Sequence, residues 1–211
     1  MAGIMERLRE TSRELHDRAE HHPFQKKLAR GLVDHREFGE YLQRLLRVHE
    51  TVEGHLQRLA ERDGALTGVL RPYQYKLPLI QRDLRSLNGE VQGIAESPAC
   101  DRLAQSVRDA MERTPRSILG FHYVLEGSSN GTRFLARSLE RSLGLTREAG
   151  LSYLDPYGDR QQSYWGQFKL DMDAVPWTED EMDGMVRGAC TMFEAMIEIA
   201  DELGQGALLP T

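Results

Sequence analysis

Cysteine is close to absent from this chain: Cys100 and Cys190 are its two examples. They match neither a disulfide framework nor a spaced zinc site, so a reduced setting is the default expectation. Aromatic residues reach only 7%, and Val, Ile and Thr are sparse beside Leu, Glu, Arg, Ala and Met. That balance disfavours strands and favours helices. No apolar run approaches the ~18 residues of a membrane span. The charged stretch Met1 to Glu10 holds no apolar signal core, so a cytoplasmic protein away from membranes is expected. A formal net charge of -6 argues against nucleic acid as a partner, although a few local cations could still hold a small anion. No Gly-x-Gly-x-x-Gly fingerprint marks a built-in flavin or nicotinamide site.

What is present is an ordinary globular composition. Hydrophobic residues make up 40% and charged residues 28% of 211 residues, enough for one domain over 1–211 with a real core. The ends, 1–3 and 205–211, are expected to be flexible, and a monomer is the default.

Helical periodicity broken by Gly, Pro, Asn and Asp recurs along the chain. A first helix spans Ile4 to Glu20, with Ile4, Leu8, Leu15 and Ala19 on one face. His22-Pro23 ends it. A short helix from Phe24 to Arg30 closes at Gly31, a C-cap residue. Asp34 and Glu37 form a capping box for a long helix carrying Phe38, Tyr41, Leu42, Leu45, Val48, Val52 and Leu56 towards Asp63-Gly64. Further helices are expected over Tyr73 to Leu87, closed by Asn88-Gly89, and from Ser97-Pro98 to Met111. Thr114-Pro115 opens another, covering Ser117 to Leu143. A turn-rich loop follows over Thr146 to Gly158, then a short helix, Tyr164 to Asp171. Thr178 and Glu181 cap a last one through Leu203. The fold class is all-α.

Arg9, Arg13, His16 and Glu20 stand at offsets of four, seven and eleven, which lines them along the first helix away from its apolar stripe. A solvated face with i, i+4 charge pairs is the plain reading. The sharper one is chemical. Neutral imidazole is a good axial ligand for heme iron, a carboxylate one turn on can hold the other ring nitrogen, and arginines can pair with carboxylates of a ligand. Further on, Gly127 and Gly131 interrupt the apolar pattern Phe121 to Leu135, each at ~1 kcal/mol relative to alanine. They signal a kink or tight crossing, or bare backbone lying against a flat ligand.

Ser12-Arg13-Glu14-Leu15-His16-Asp17-Arg18-Ala19-Glu20 is similar to the proximal helix of the heme oxygenase family. Tyr123-Val124-Leu125-Glu126-Gly127-Ser128 through Gly131 resembles the distal helix of its bacterial branch. Trp165-Gly166-Gln167-Phe168-Lys169 and the helix after Thr178 resemble its C-terminal end. The resemblance implies a single-domain helical bundle with heme b between the first helix and a glycine-kinked distal helix. It makes His16 the axial ligand, with Glu20 behind it. Arg9, Arg13 and Lys169 fall near the propionates, and Tyr123, Gly127 and Gly131 line the pocket. The reaction it implies opens heme to biliverdin, ferrous iron and carbon monoxide, using O2 and an external reductant such as a ferredoxin or flavodoxin system. In one respect the chain departs from the pattern. Gly127, beside Glu126, stands where many members carry an aspartate that orders water at bound oxygen. Ser128, Ser129 and Asn130 are the candidates for those polar contacts.

Rival readings share the scaffold. A heme carrier or sensor would keep His16 and lose turnover. A di-metal oxidase could use His49, Glu50, Glu53 and His55, but no Glu-x-x-His pair is present, and solvated helix charges explain that cluster. A thiaminase-like hydrolase needs an activated nucleophile, whereas Cys190 lies on a core-like face with Met185, Met192 and Met196. His122, next to the distal segment, is read as structural.

Overall fold

The computed structural model describes residues 3–87 and 96–206. Eight helices run through them: α1 (Ile4–Glu20), α2 (Pro23–Ala29), α3 (His35–Arg62), α4 (Leu77–Ser86), α5 (Pro98–Arg113), α6 (Ile118–Leu143), α7 (Gln161–Ala174) and α8 (Glu179–Gly206). Short 3-10 turns join several of them, and among the described residues there is no strand, only a bridge between Thr146 and Gly150. The Asn88-Gly89 turn, and most of the ends expected to be flexible, lie outside the described residues.

Local chemistry sets most of these boundaries. Asp34 accepts from the Glu37 amide while the Glu37 carboxylate accepts from the Asp34 amide, closing the expected capping box. Thr178 and Glu181 do the same before α8. Gly31 takes φ 65° after α2, a conformation that L residues with a Cβ resist. One expectation is corrected. The segment expected as one helix from Tyr73 to Leu87 divides into a turn at Pro72–Gln74 and α4, because Pro78 supplies no amide and fits only the first turn. Gly127 and Gly131 lie inside α6, which is hydrogen-bonded as one helix from Ile118 to Leu143, close to the expected Ser117 to Leu143.

The core is one cluster in which Leu8, Leu28, Phe38, Leu42, Leu56, Ile118, Leu139, Met185 and Met192 are buried. Helix α8 is its central member, packing against α1 on one side and α6 on the other. Glycine permits the second contact. A Cβ at Gly120 would stand 1.8 Å from the Met185 carbonyl oxygen, and one at Gly188 would stand 2.8 Å from both Phe121 Cε2 and the Ser117 carbonyl oxygen. These backbones therefore meet where no side chain fits. By contrast, α1 and α6 scarcely touch one another; α8 lies beneath both, with α2 and α7 each contacting both. The bundle is thus built with a gap between its first and sixth helices.

The two kinds of glycine should respond in opposite ways. Gly120→Ala is expected to cost more than about 2 kcal/mol, since a clash with backbone cannot be relieved by a rotamer change. Nothing lies within 4 Å of a Cβ at Gly131, so Gly131→Ala is expected to raise stability by about 0.5–1 kcal/mol through helix propensity. Urea denaturation followed by circular dichroism measures both; equal effects would refute the assignment.

Candidate functional site

The apolar stripe of α1 points into the core through Ile4, Met5 and Leu8, and its other side carries the polar line. Arg9, Arg13, His16 and Glu20 are all exposed. The His16 side chain keeps 57% of its surface, and its Nδ1 lies 3.8 Å from Glu20 Oε2 and 3.5 Å from Asp17 Oδ1. Its ring stands edge-on to Phe193 of α8, with centroids 5.6 Å apart. The carboxylates therefore gather on the Nδ1 side, and Nε2 has no protein partner among the described residues. Such an imidazole, with carboxylates near one nitrogen and the other free, is suited to coordinating iron.

Across the gap, Tyr123, Gly127, Gly131 and Phe134 share one face of α6 at helical spacing. Phe134 is 74% exposed, and Gly131 faces open space. Gly127 does not. The Trp165 indole of α7 lies against it, 3.5 Å from where its Cβ would be, an ordinary contact that an alanine would tolerate. Trp165 also meets Tyr123 (5.8 Å) and stacks with Phe168 (5.6 Å), and Lys169 Nζ stands 5.9 Å from the indole. Tyr123 is shared with α1: Ser12 hydrogen-bonds it and Arg9 places positive charge nearby, although burial dominates and pushes the phenol up. Arg9 and Lys169 are thereby brought to the same end of the gap, around the Tyr123–Trp165 pair. Arg13 lies one turn further along α1 and is exposed.

The other three polar residues of the distal segment are committed. Ser128 Oγ donates to the Leu125 carbonyl at 2.8 Å, and Asn130 Nδ2 to the Gly127 carbonyl at 2.9 Å while its Oδ1 accepts from Gln161 at 3.2 Å. Ser129 Oγ accepts from Lys76 Nζ at 2.6 Å.

Behind α6 lies a buried charge network that the sequence reading missed. His49 and Glu53, read there as solvated, are both buried, which corrects that expectation; Glu50 is exposed as read and His55 half-buried. Glu53 Oε1 accepts from the amides of Lys76 (2.7 Å) and Leu77 (3.2 Å), capping α4 from a neighbouring helix, and from His49 Nδ1 (2.7 Å). This favours an anion at a helix N-terminus. Lys76 is only 1% exposed. Its ammonium donates to the Leu125 carbonyl (3.1 Å) and Ser129, and pairs with Glu126 Oε1 at 3.0 Å, which uses its three protons. Tyr157 donates to the same Glu126 oxygen at 2.7 Å, and burial together with the Glu126 charge pushes its phenol far up. Burial also lowers the His49 imidazole, against the pull of Glu53. An i, i+4 His-Glu pair on an otherwise apolar helix face was the one available signal, at His49/Glu53 and again at His122/Glu126. Cys190 is half-buried and its thiol is raised by burial, the opposite of an activated nucleophile.

His122 is buried with neither ring nitrogen partnered, and burial holds its imidazole down at about 4. The unfolded chain binds this proton near pH 6.5, so the contribution is intact above that pH and is lost as pH falls towards 4. Stability should therefore drop by about 3 kcal/mol over that window from this group, with His49 adding in the same direction. Urea titrations at stepped pH should give a shallower acid limb for His122→Phe; an unchanged limb would show that the imidazole is not held neutral.

Comparison with known proteins places the fold in a family. A family model described as heme oxygenase matches residues 2–202. A heme oxygenase from Xanthomonas campestris is 26% identical over 156 residues, covering 72% of this chain and 84% of that protein. The heme oxygenase structure from Leptospira interrogans superposes with a TM-score of 0.84 at 21% identity, over 95% of this chain and 100% of that one. Heme oxygenase-1 of the cyanobacterium Synechocystis, in complex with heme, superposes with a TM-score of 0.85 at 18% identity, over 97% of this chain and 94% of that one. With the family model matched over nearly its whole length, and with the all-helical fold expected of it, this chain belongs to the heme oxygenase family.

Proposed function

We propose that the chain binds heme b in the gap between α1 and α6 and cleaves it to biliverdin, ferrous iron and carbon monoxide. The observation that carries this reading is His16, an exposed imidazole with carboxylates on its Nδ1 side and a free Nε2, on the helix that α8 holds apart from the bare backbone at Gly131. The residues fit a flat ligand with an apolar body and two carboxylates: Phe134 and Phe193 offer apolar surface, and Arg9, Arg13 and Lys169 supply cations at the rim. His16 Nε2 would coordinate the iron, and Glu20, 3.8 Å from Nδ1 in the free protein, would close on Nδ1–H, fixing the tautomer and raising the ligand's basicity. Gly131 lets the α6 backbone approach the macrocycle. Tyr123 and Trp165 close one end and exclude water. When bound, the heme supplies the iron that activates dioxygen and is itself the substrate oxidised. Electrons come from an external donor of the ferredoxin or flavodoxin class, in the cytoplasm, to a monomer.

A second reading, a heme carrier or sensor, is favoured by one observation. Gly127 has no side chain, and Ser128, Ser129 and Asn130 are each engaged by hydrogen bonds within the protein, which leaves the side of the gap facing His16 poor in groups ready to bond a small ligand.

Titration of the purified protein with hemin, then ascorbate in air, separates the two. The proposed activity gives a one-to-one Soret band that decays into a biliverdin spectrum; a Soret band that persists supports the carrier. His16→Ala should abolish ring opening and shift the Soret band, and an unchanged rate would sink the assignment. Gly131→Leu fills open space in the free protein, so it should fold normally yet bind hemin at least about tenfold more weakly, about 1.4 kcal/mol.

A further inference from the structure

The network behind α6 leaves two polar groups unfinished, and they are neighbours. The His122 imidazole is 2% exposed and has no partner at Nδ1 or Nε2. One turn along α6, both donors to Glu126, the Tyr157 hydroxyl and the Lys76 ammonium, go to Oε1; among the described residues Oε2 receives none. At i, i+4 the two side chains stand on the same side of the helix. The groups facing His122 are Glu126 on its own helix, Glu53 and His49 from α3, and Lys76 before α4. From α7 it meets Phe168, edge-on at 5.6 Å. A neutral imidazole needs one acceptor and one donor, and leaving both unmet in the interior is costly. An apolar wall on one side and a carboxylate oxygen on the other make a place for a molecule that both donates and accepts.

We infer that His122 and Glu126 Oε2 bracket an internal water site between α6 and α7. Its ligand is a single water, accepting from the ring N–H and donating to Oε2, within the two to four partners that ordered internal water has. The position also gives it a role, resting on the heme reading above. Phe168, which closes the site, stacks on Trp165, and Trp165 covers Gly127. Gly127 follows Glu126 directly, and α7 covers both Gly127, through Trp165, and His122, through Phe168, so the site adjoins the segment that faces the gap. His122 is then a positioning residue: through this water it sets the hydrogen bonding on the side of the gap opposite His16.

Two measurements test this, and only the second needs heme. Phenylalanine nearly matches imidazole in shape and would pack on Phe168. If the imidazole were truly without a partner, His122→Phe would therefore stabilise the free protein at pH 7.5. With a water held there, His122→Phe strands the water and Glu126 Oε2, and should lower Tm by about 3 °C or more, while His122→Gln, which can still hydrogen-bond the water, recovers at least half of the loss. A rise in Tm for His122→Phe would overturn the site. If His122→Phe fails to fold, a crystal structure of the wild-type free protein decides, since an empty site between His122 and Glu126 would equally overturn it. In the hemin complex, the pH midpoint at which the ferric visible spectrum changes should move by about one unit in His122→Phe and return towards wild type in His122→Gln. A normal Soret band with an unmoved midpoint refutes the positioning role alone. Absence of any Soret band in wild type refutes the heme reading and leaves the water site to the stability data.

Discussion

The close crossing of α6 and α8 is the constraint on which the rest depends. At Gly120 the α8 backbone comes so near that only hydrogen fits, and this fixes α6 on one flank of α8 while Leu8, Met5 and their neighbours fix α1 on the other. Because α8 spaces the two helices, the faces carrying His16 and Gly131 are left uncovered by each other. Ion pairs from Arg7 to Glu179 and Asp183 tie α1 to the start of α8 at its exposed edge, where such pairs add little energy. Apolar packing and backbone proximity set the width of the gap.

A second layer of control lies behind α6. Glu53 caps α4 with its carboxylate, and Lys76, at that same cap, sends its ammonium to Glu126 and Ser129. Asp83 on α4 receives the Ser152 and Tyr153 amides, and Thr132 donates to the Leu154 carbonyl at 2.7 Å. The long loop before α7 is thereby held in a shape that delivers Tyr153 to His49 and Tyr157 to Glu126. Charges this deeply buried are tolerated because each is matched by hydrogen bonds. They lock α3, α4, the loop and α6 into one arrangement behind the segment facing the gap.

The helix ends and the polar line on α1 were legible in the sequence, because both rest on interactions within about four residues: capping boxes, proline positions, a glycine at a left-handed cap. His16 with Glu20 was legible for the same reason. The glycines were harder. Gly127 and Gly131 drew attention because they interrupt a pattern, yet the helix runs through both, and the glycines that matter to packing, Gly120 and Gly188, sit where the pattern gives no warning. Ser128 and Asn130 are polar in sequence, but whether they face a ligand depended on carbonyls of their own helix. His49 and Glu53 illustrate the limit most clearly: charged residues on a long helix read as solvated, and their burial depends on Lys76, which the sequence pattern places inside a helix from Tyr73 and the structure places at the start of α4.

By itself, then, the sequence determined that the chain is all-helical, where most helices start and stop, and that one histidine with a carboxylate a turn away lies off the core stripe of the first helix. These are consequences of near-neighbour chemistry and hydrophobic period. Only the tertiary structure decided that α1 and α6 stand apart over α8, that Trp165 rather than open space meets Gly127, and that a lysine neutralises the interior behind the distal segment. Each of these joins residues far apart in sequence, and their energies depend on burial and distance, which come into being only when the helices pack.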